Sequence, residues 1–331
     1  MQFLIIQTAF IGDVVLATGI LEKIHRQYPD AQIDFMLRKG NEGLLKDHPF
    51  IRKVLVWHKS GAQKYKSLLA LLKEVRAQRY DKIINVQRFA ATGLLTAFSG
   101  ARETIGFDKN PFSRFFTSRI KHVISDGQHT LHEIERNDEL IKAFTTGAPE
   151  KPRLYPSASD AEKVKPYQDK PYITISPASV WFTKQYPTEK WIKFLQAFDK
   201  PFAVYLLGGP GDAALGDAIQ QQVPQHTIVN LCGKLNFLQS TALMTKAVMN
   251  YVNDSAPMHF ASSVNAPVTA IYCSTLPSFG FGPLSDKRFV VEIEEPLPCR
   301  PCGLHGRKAC PLGHFKCAHH IKEGQLLASL P

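Results

Sequence analysis

Five short stretches of this sequence hold residues whose types and spacing could do chemistry. The first is Gln7-Thr8-Ala9-Phe10-Ile11-Gly12-Asp13, which leads into the apolar run Val14-Val15-Leu16. Asp13 stands where a helix begins. A carboxylate there can accept backbone N–H groups as a cap, or stay ionised beside the positive end of the helix dipole. A dinucleotide site would need G-x-G-x-x-G in this turn, and Gly12 is the one glycine present. That argues against a nicotinamide or flavin dehydrogenase.

The second stretch is Ser176-Pro177-Ala178-Ser179-Val180-Trp181-Phe182-Thr183-Lys184-Gln185-Tyr186-Pro187. The hydroxyls of Ser179 and Thr183, free N–H groups and the Lys184 ammonium are what a diphosphate needs. An ordinary loop with a solvated lysine explains the same residues. The third, Leu207-Gly208-Gly209-Pro210-Gly211-Asp212, has glycines that let a backbone approach a ligand closely, or simply a tight turn. In the fourth, Asn253-Asp254-Ser255-Ala256-Pro257-Met258-His259, Pro257 lies near a helix start. Asp254 or Ser255 could cap that helix. Its first N–H groups could equally form an anion site, with His259 one turn inside. The fifth is Cys299, Cys302, Cys310 and Cys317. Its first pair has zinc-ligand spacing with His305, His314, His319 and His320 nearby, but the later spacings are irregular. A structural zinc and a reduced, packed loop both stay open.

These turns need elements to position them. Strand-like runs fall at Phe3–Gln7, Gln32–Leu37, Lys53–Trp57, Lys82–Val86 and His122–Ser125, with helical patterns at 14–28, 62–79, 90–98 and 129–145. The pattern restarts after a polar, proline-bearing stretch from Thr146 to Pro171. Strands are then expected at Tyr172–Ser176, Ala203–Leu207, Thr227–Asn230, Met249–Asn253, Val268–Tyr272 and Phe289–Ile293. Helices fit 188–199, 212–222, 236–247, 257–264 and His319–Leu330. Alternating strands and helices predict βαβ units and parallel sheets. Two Rossmann-like halves, 1–160 and 161–331, imply a cleft, with ligands beyond the carboxyl ends of strands.

With 44% hydrophobic and 21% charged residues, the chain has a globular profile. No apolar run approaches the roughly 20 residues that span a bilayer. The N-terminus lacks a basic region and a cleavage site, so a cytoplasmic protein is expected, in which structural disulfides are not. The net charge of +11 favours anionic partners. Residues 51–100 carry ten Lys and Arg against two acids, Glu74 and Asp81.

In their order and spacing these turns resemble the ADP-heptose:lipopolysaccharide heptosyltransferases, over about residues 2–321. The resemblance is carried by the Gly12-Asp13 turn, Lys184-Gln185-Tyr186-Pro187 and Asn253–His259. Asn85-Val86-Gln87, Ile105-Gly106-Phe107-Asp108, Leu231-Cys232-Gly233-Lys234 and the Cys299–Cys317 cluster add to it. The cluster is most similar to the heptosyltransferase II branch. The chain departs from that pattern at Ala256, where the family often has Gly, and at Tyr186, where Trp is common.

The resemblance implies a GT-B fold and an inverting transfer of heptose from ADP-L-glycero-D-manno-heptose to the lipopolysaccharide inner core, with no required cofactor. It implies Asp13 as general base and Lys184 as the cation on the ADP leaving group. Donor binding would fall to Ser179, Thr183, Lys184, Gly209, Asp212, Asp254, Ser255, Ala256 and His259 in the second half. Acceptor binding would fall to Gly12, Asp13, Lys64, Arg88 and Arg114 in the first. The acceptor is expected to be an anionic lipid A-core glycolipid, met peripherally at the inner membrane. Lys64, Lys66, Lys73, Arg76 and Arg79 on a helix with Leu68, Leu69, Leu72 and Val75 inward, and the loop Asn110–Arg119, suit that interface. A nucleic-acid binder is the rival from another class, supported by pI and the cysteines. No recognition motif accompanies it, and no nucleic-acid partner is expected. A GT-B enzyme for another nucleotide sugar is the nearer rival.

Overall fold

The structure is a computed structural model that describes residues 1–124 and 130–330. It forms two compact units, Met1–Tyr155 and Pro156–Pro331. The first contains β1 (Gln2–Ile6), α1 (Ile11–Gln27), β2 (Gln32–Arg38), β3 (Ile51–Trp57), α2 (Lys64–Gln78), β4 (Lys82–Asn85), α3 (Ala90–Ala97), β5 (Glu103–Phe107), β6 (Ser118–Ile120) and α4 (Glu133–Glu139). The second opens with α5 (Ala158–Val164), β7 (Tyr172–Ser176), α6 (Thr188–Gln196), β8 (Ala203–Leu206), α7 (Ala213–Gln221) and β9 (Ile228–Asn230). It continues with α8 (Phe237–Thr245), β10 (Met249–Asn253), α9 (Ala256–Ser263), β11 (Val268–Tyr272), β12 (Arg288–Glu292), α10 (Lys316–His319) and α11 (Glu323–Leu327).

Each unit is built on a six-stranded parallel sheet, ordered β3-β2-β1-β4-β5-β6 in the first and β12-β11-β10-β7-β8-β9 in the second. Numbered from its own first strand, each sheet reads 3-2-1-4-5-6. This is the doubly wound order, whose direction of winding reverses between strands 1 and 4. Strands covered on both faces need continuous apolar runs rather than alternation. Phe3-Leu4-Ile5-Ile6 and all of Tyr172–Ser176 are buried accordingly. Helices seal each sheet at helical spacing. Leu68, Leu71 and Val75 of α2 meet Leu4, Ile6, Met36, Leu55 and Trp57. Trp191, Phe194 and Leu195 of α6 meet Ile173, Ile175, Leu206 and Tyr251.

Several expectations shift. The expected linker holds α5, started by Ser157, whose hydroxyl accepts the Asp160 N–H while Asp160 accepts the Ser157 N–H. This reciprocal cap begins a helix inside polar sequence. The division falls at Tyr155–Pro156 rather than 160–161. Two strands follow β4 where one was expected: β5 (Glu103–Phe107), which the sequence reading missed, and β6 (Ser118–Ile120), paired to Ile105–Phe107 in place of His122–Ser125; Ser125 lies outside the described residues. The helix expected over 129–145 is the seven-residue α4, starting from His132, and residue 129 is likewise outside them. The C-terminal helix is two short ones, α10 and α11. On α2 the inward face is Leu68, Leu71, Leu72 and Val75, while Leu69 is 63% exposed. Spacing of three and four residues puts 68, 71, 72 and 75 on one stripe. Leu69 instead joins Tyr65 one turn earlier on the outer face.

Candidate active site

Both candidate sites form where the winding of a sheet reverses. In the first unit, β1 ends at Ile6 and its neighbour β4 at Asn85. The side chains that follow knit the two turns together. Gln87 Nε2 donates to Gln7 Oε1, Gln87 N donates to Asn85 Oδ1 at 2.9 Å, and Asn110 Nδ2 donates to Gln87 O at 2.9 Å. On this floor Gly12 and Asp13 open α1, both half-buried. Asp13 is not the N-cap. It is the third residue of the helix, and its Oδ2 accepts the N–H of Phe10, the residue that stands at the cap, at 3.2 Å.

Two charged groups, Lys59 and Glu133, interact with Asp13. The Lys59 ammonium donates to Thr8 O at 3.0 Å and lies over the Phe89 ring. Burial holds its pKa below the usual lysine range, Arg38 and Lys64 push the same way, and Asp13 pulls it up. Glu133, paired to Arg136 at 2.6 Å, is raised by burial, lowered by Arg136 and raised again by Asp13. Arg88 is exposed and acts on the same Glu133. It also helps burial hold His122 down at about 4. Lys64 opens α2 close enough to Lys59 to depress it. Arg114 is elsewhere. It sits over Phe115, which neighbours Phe98 at the far end of α3. The sequence reading missed Lys59 and Arg38. Arg38 ends β2 and Lys59 follows the edge strand β3, and that position at the carboxyl end of the sheet was the available signal.

In the second unit the corresponding turns follow β7 and β10. Lys184 ends a short 3-10 turn, Phe182–Lys184. Its Nζ lies 2.7 Å from Asp254 Oδ2, and this ion pair is mostly buried, at 15% and 8% side-chain exposure. Thr275 Oγ1 donates to the same Asp254 oxygen at 2.6 Å. Asn253, fully buried, ties the two turns. Its Oδ1 accepts Tyr186 N–H at 2.9 Å and its Nδ2 donates to Pro177 O at 2.8 Å. Ser255 occupies the N-cap of α9 without a side-chain capping bond, its hydroxyl turned to Asn253 O at 3.3 Å. Ala256 and Pro257 begin the helix, and His259 is buried within it.

The remaining donor candidates divide. Ser179 is half-exposed on the same loop, where its carbonyl accepts Gln185 Nε2 at 2.6 Å. Thr183 is 1% exposed, and its hydroxyl accepts from Ser274 Oγ and Arg307 N at 2.9 and 2.7 Å, so its side chain braces the turn from within. Asp212 Oδ2 accepts Gly209 N–H at 2.7 Å, closing the glycine turn beyond β8 on itself. A Cβ on Gly208 would stand 2.8 Å from that oxygen, which is why glycine is needed there. That turn lies one strand away from the β7–β10 switch point.

The cysteines are all free thiols. Cys299 Sγ lies 3.9 Å from His314 Nε2, and Cys302 Sγ lies 3.7 Å from Cys299 O. Burial, with Cys302 and Cys310 nearby, pushes the Cys317 thiol up to about 12. A zinc site needs thiolates converging on one point. Among the described residues no group of three His, Cys, Asp or Glu side chains is arranged to hold a metal ion.

Residues 68–308 match the sequence model of glycosyltransferase family 9 (heptosyltransferase). Lipopolysaccharide heptosyltransferase 3 of Escherichia coli is 28% identical over 279 residues, covering 80% of either chain. Lipooligosaccharide heptosyltransferase 2 of Haemophilus influenzae is 25% identical over 334 residues, covering 89% of either. The solved structure of the Escherichia coli ADP-heptose lipopolysaccharide heptosyltransferase II superposes with a TM-score of 0.80 at 21% identity, over 99% of this chain and 97% of that one. This last likeness is one of fold.

Proposed function

The chain belongs to glycosyltransferase family 9 (heptosyltransferase), and from that premise we propose that it moves a heptose from ADP-L-glycero-D-manno-heptose to the lipopolysaccharide inner core with inversion. The observation that carries the reading is the Lys184–Asp254 pair at the β7–β10 switch point, beside the start of α9. A cation held at the mouth of a doubly wound sheet, next to helix N–H groups, suits a diphosphate. The donor named in the solved relative, ADP-heptose, carries one.

In the proposed reaction Asp13 takes the proton from the acceptor hydroxyl. That oxygen attacks the anomeric carbon as its bond to the diphosphate oxygen breaks. Negative charge grows on the departing ADP, so the fixed Lys184 ammonium and the N–H groups opening α9 contribute most in the transition state. Lys184 would leave Asp254 for the phosphates, freeing Asp254 to meet the sugar–phosphate region. No cofactor takes part. Gly12, Lys59, Lys64 and Arg88 would meet the anionic acceptor around Asp13.

The acceptor is taken to be a lipid A-core glycolipid approached from the cytoplasmic side. The outer face of α2 supports peripheral contact: Tyr65 and Leu69 are 70% and 63% exposed, with Lys66, Lys73 and Arg76 around them. An amphipathic basic and aromatic face binds anionic lipid. Among the described residues no helix is long and apolar enough to cross a membrane. The test of the donor is a thermal-shift panel. ADP should raise the melting temperature more than UDP or GDP, and a clear win for UDP would replace the donor assignment.

A further inference from the structure

The Cys-rich segment has no part in the reaction just described, yet its middle lies directly against the Lys184 turn. Thr183 N–H donates to Arg307 O at 3.1 Å, and Arg307 N–H donates back to Thr183 Oγ1 at 2.7 Å. Ser274 Oγ donates to the same hydroxyl at 2.9 Å, and Ser274 O accepts from Cys302 N–H at 2.9 Å. Between these bonds sits Gly306. Its φ is +76°, and a Cβ there would lie 2.9 Å from Lys184 Cγ and 3.1 Å from Thr183 Oγ1. Glycine is therefore required twice, for the left-handed backbone and for clearance from the lysine stem.

The other end of Lys184 is held from the neighbouring residue of the same strand end. Thr275 Oγ1 bonds Asp254 Oδ2, which pairs with the ammonium. Arg300, at the start of the segment, donates to Thr275 O at 2.8 Å. The stem of Lys184 thus lies against segment backbone while its charged end is aimed by Asp254.

We infer that Thr183 and Gly306 are positioning residues for Lys184, and that the Cys-rich segment serves as the wall that aims this cation at the donor diphosphate. The inference rests on the reading of Lys184 as the diphosphate cation. Such a wall matters because a cation on a flexible stem gains most when its geometry is fixed beforehand.

The test is calorimetric binding of ADP and of adenosine, which lacks the phosphates, to the full chain and its variants. Gly306→Ala and Thr183→Val should each weaken ADP by roughly ten- to hundred-fold, the scale of a misplaced charged hydrogen bond, and leave adenosine unchanged. Thr183→Ser, which keeps the hydroxyl, should bind ADP within about two-fold of the parent. In a Lys184→Ala background Gly306→Ala should cost nothing more, since coupled residues do not add. Equal losses for ADP and adenosine, an undiminished Gly306→Ala effect without Lys184, or a Thr183→Ser variant as weak as Thr183→Val would each overturn the inference. If Lys184→Ala alone leaves ADP affinity intact, the diphosphate reading itself fails and the positioning role falls with it.

Discussion

The two units share a strand order but furnish their switch points differently. In the second, Lys184, Asp254, Thr275, Asn253 and Tyr186 are joined by direct bonds, and the central ion pair is mostly buried. In the first, Asp13 is half-buried, and the charges that act on it come from separate elements, Lys59 from the loop after β3 and Glu133 from the first turn of α4. Topology fixes where a ligand can sit, while the side chains at that spot decide which charge is presented. A prewired cation fits an invariant diphosphate. A carboxylate among cations from separate elements suits the larger anionic acceptor proposed above.

The comparison breaks most visibly at Asp13. As a general base it should contribute about 10²–10⁴-fold to rate. Asp13→Asn keeps an acceptor for the Phe10 N–H, so the variant should fold, bind ADP normally and lose at least about a hundred-fold in kcat. A variant that keeps a third of the parent kcat would assign Asp13 to capping the start of α1 alone. Lys184→Ala attacks the other site. Loss of a charged contact of about 1.5–3 kcal/mol should weaken ADP roughly 10- to 150-fold, read by calorimetry. Unchanged ADP binding there would erase the proposed division of labour between the units.

Smaller effects sharpen the contrast. Lys66→Ala on the outer face of α2 should weaken binding to anionic vesicles about five-fold, at about 1 kcal/mol per basic residue. ADP binding, in the other unit, should not move. The smallest effect is on acid stability. Burial and His25 hold His48 down at about 4 against an ordinary 6.5. The unfolded chain therefore binds a proton that the folded chain refuses, and stability falls as pH drops from about 6.5 towards 4. Neighbouring Glu22, raised by burial, opposes this over part of the range. His48→Gln should flatten the loss, seen as a smaller change in urea midpoint between pH 7 and pH 5. A slope unaffected by the substitution would clear His48 of that role.

Much of this was legible in the sequence because buried parallel strands announce themselves as apolar runs. Tyr172–Ser176, Met249–Asn253 and Val268–Tyr272 stand where those runs predict. Asn253–His259 was legible as a strand-to-helix turn for the same reason. What escaped depends on partners distant in sequence. The three-residue β6 exists because β5 offers it an edge, not because Ser118-Arg119-Ile120 is apolar. α5 was masked by prolines around it and revealed only by the Ser157–Asp160 cap. Nothing in the sequence set Lys59 apart from other cations, and only the fold brings it to Thr8 O and within electrostatic reach of Asp13. Thr183 looked like a ligand hydroxyl, and only the fold shows Arg307 and Ser274 already bonded to it.

The placement of each sheet's central strand bears on the order in which a ribosome would deliver a foldable chain. β1 meets β2 about 30 residues on and β4 about 80 residues on, at Gln2–Gln32 and Phe3–Lys82. The first unit closes only when its tail returns to α1: the Glu150 carbonyl abuts Gly19, Arg153 N–H reaches Thr18 and Tyr155 reaches Glu22. Every one of those partners is synthesised before β7. Domains fold as units during synthesis, N-terminal first, so the first unit can be complete before the second has its first strand. A nascent chain halted just beyond residue 155, with enough extra length to clear the exit tunnel, should already resist protease across α1.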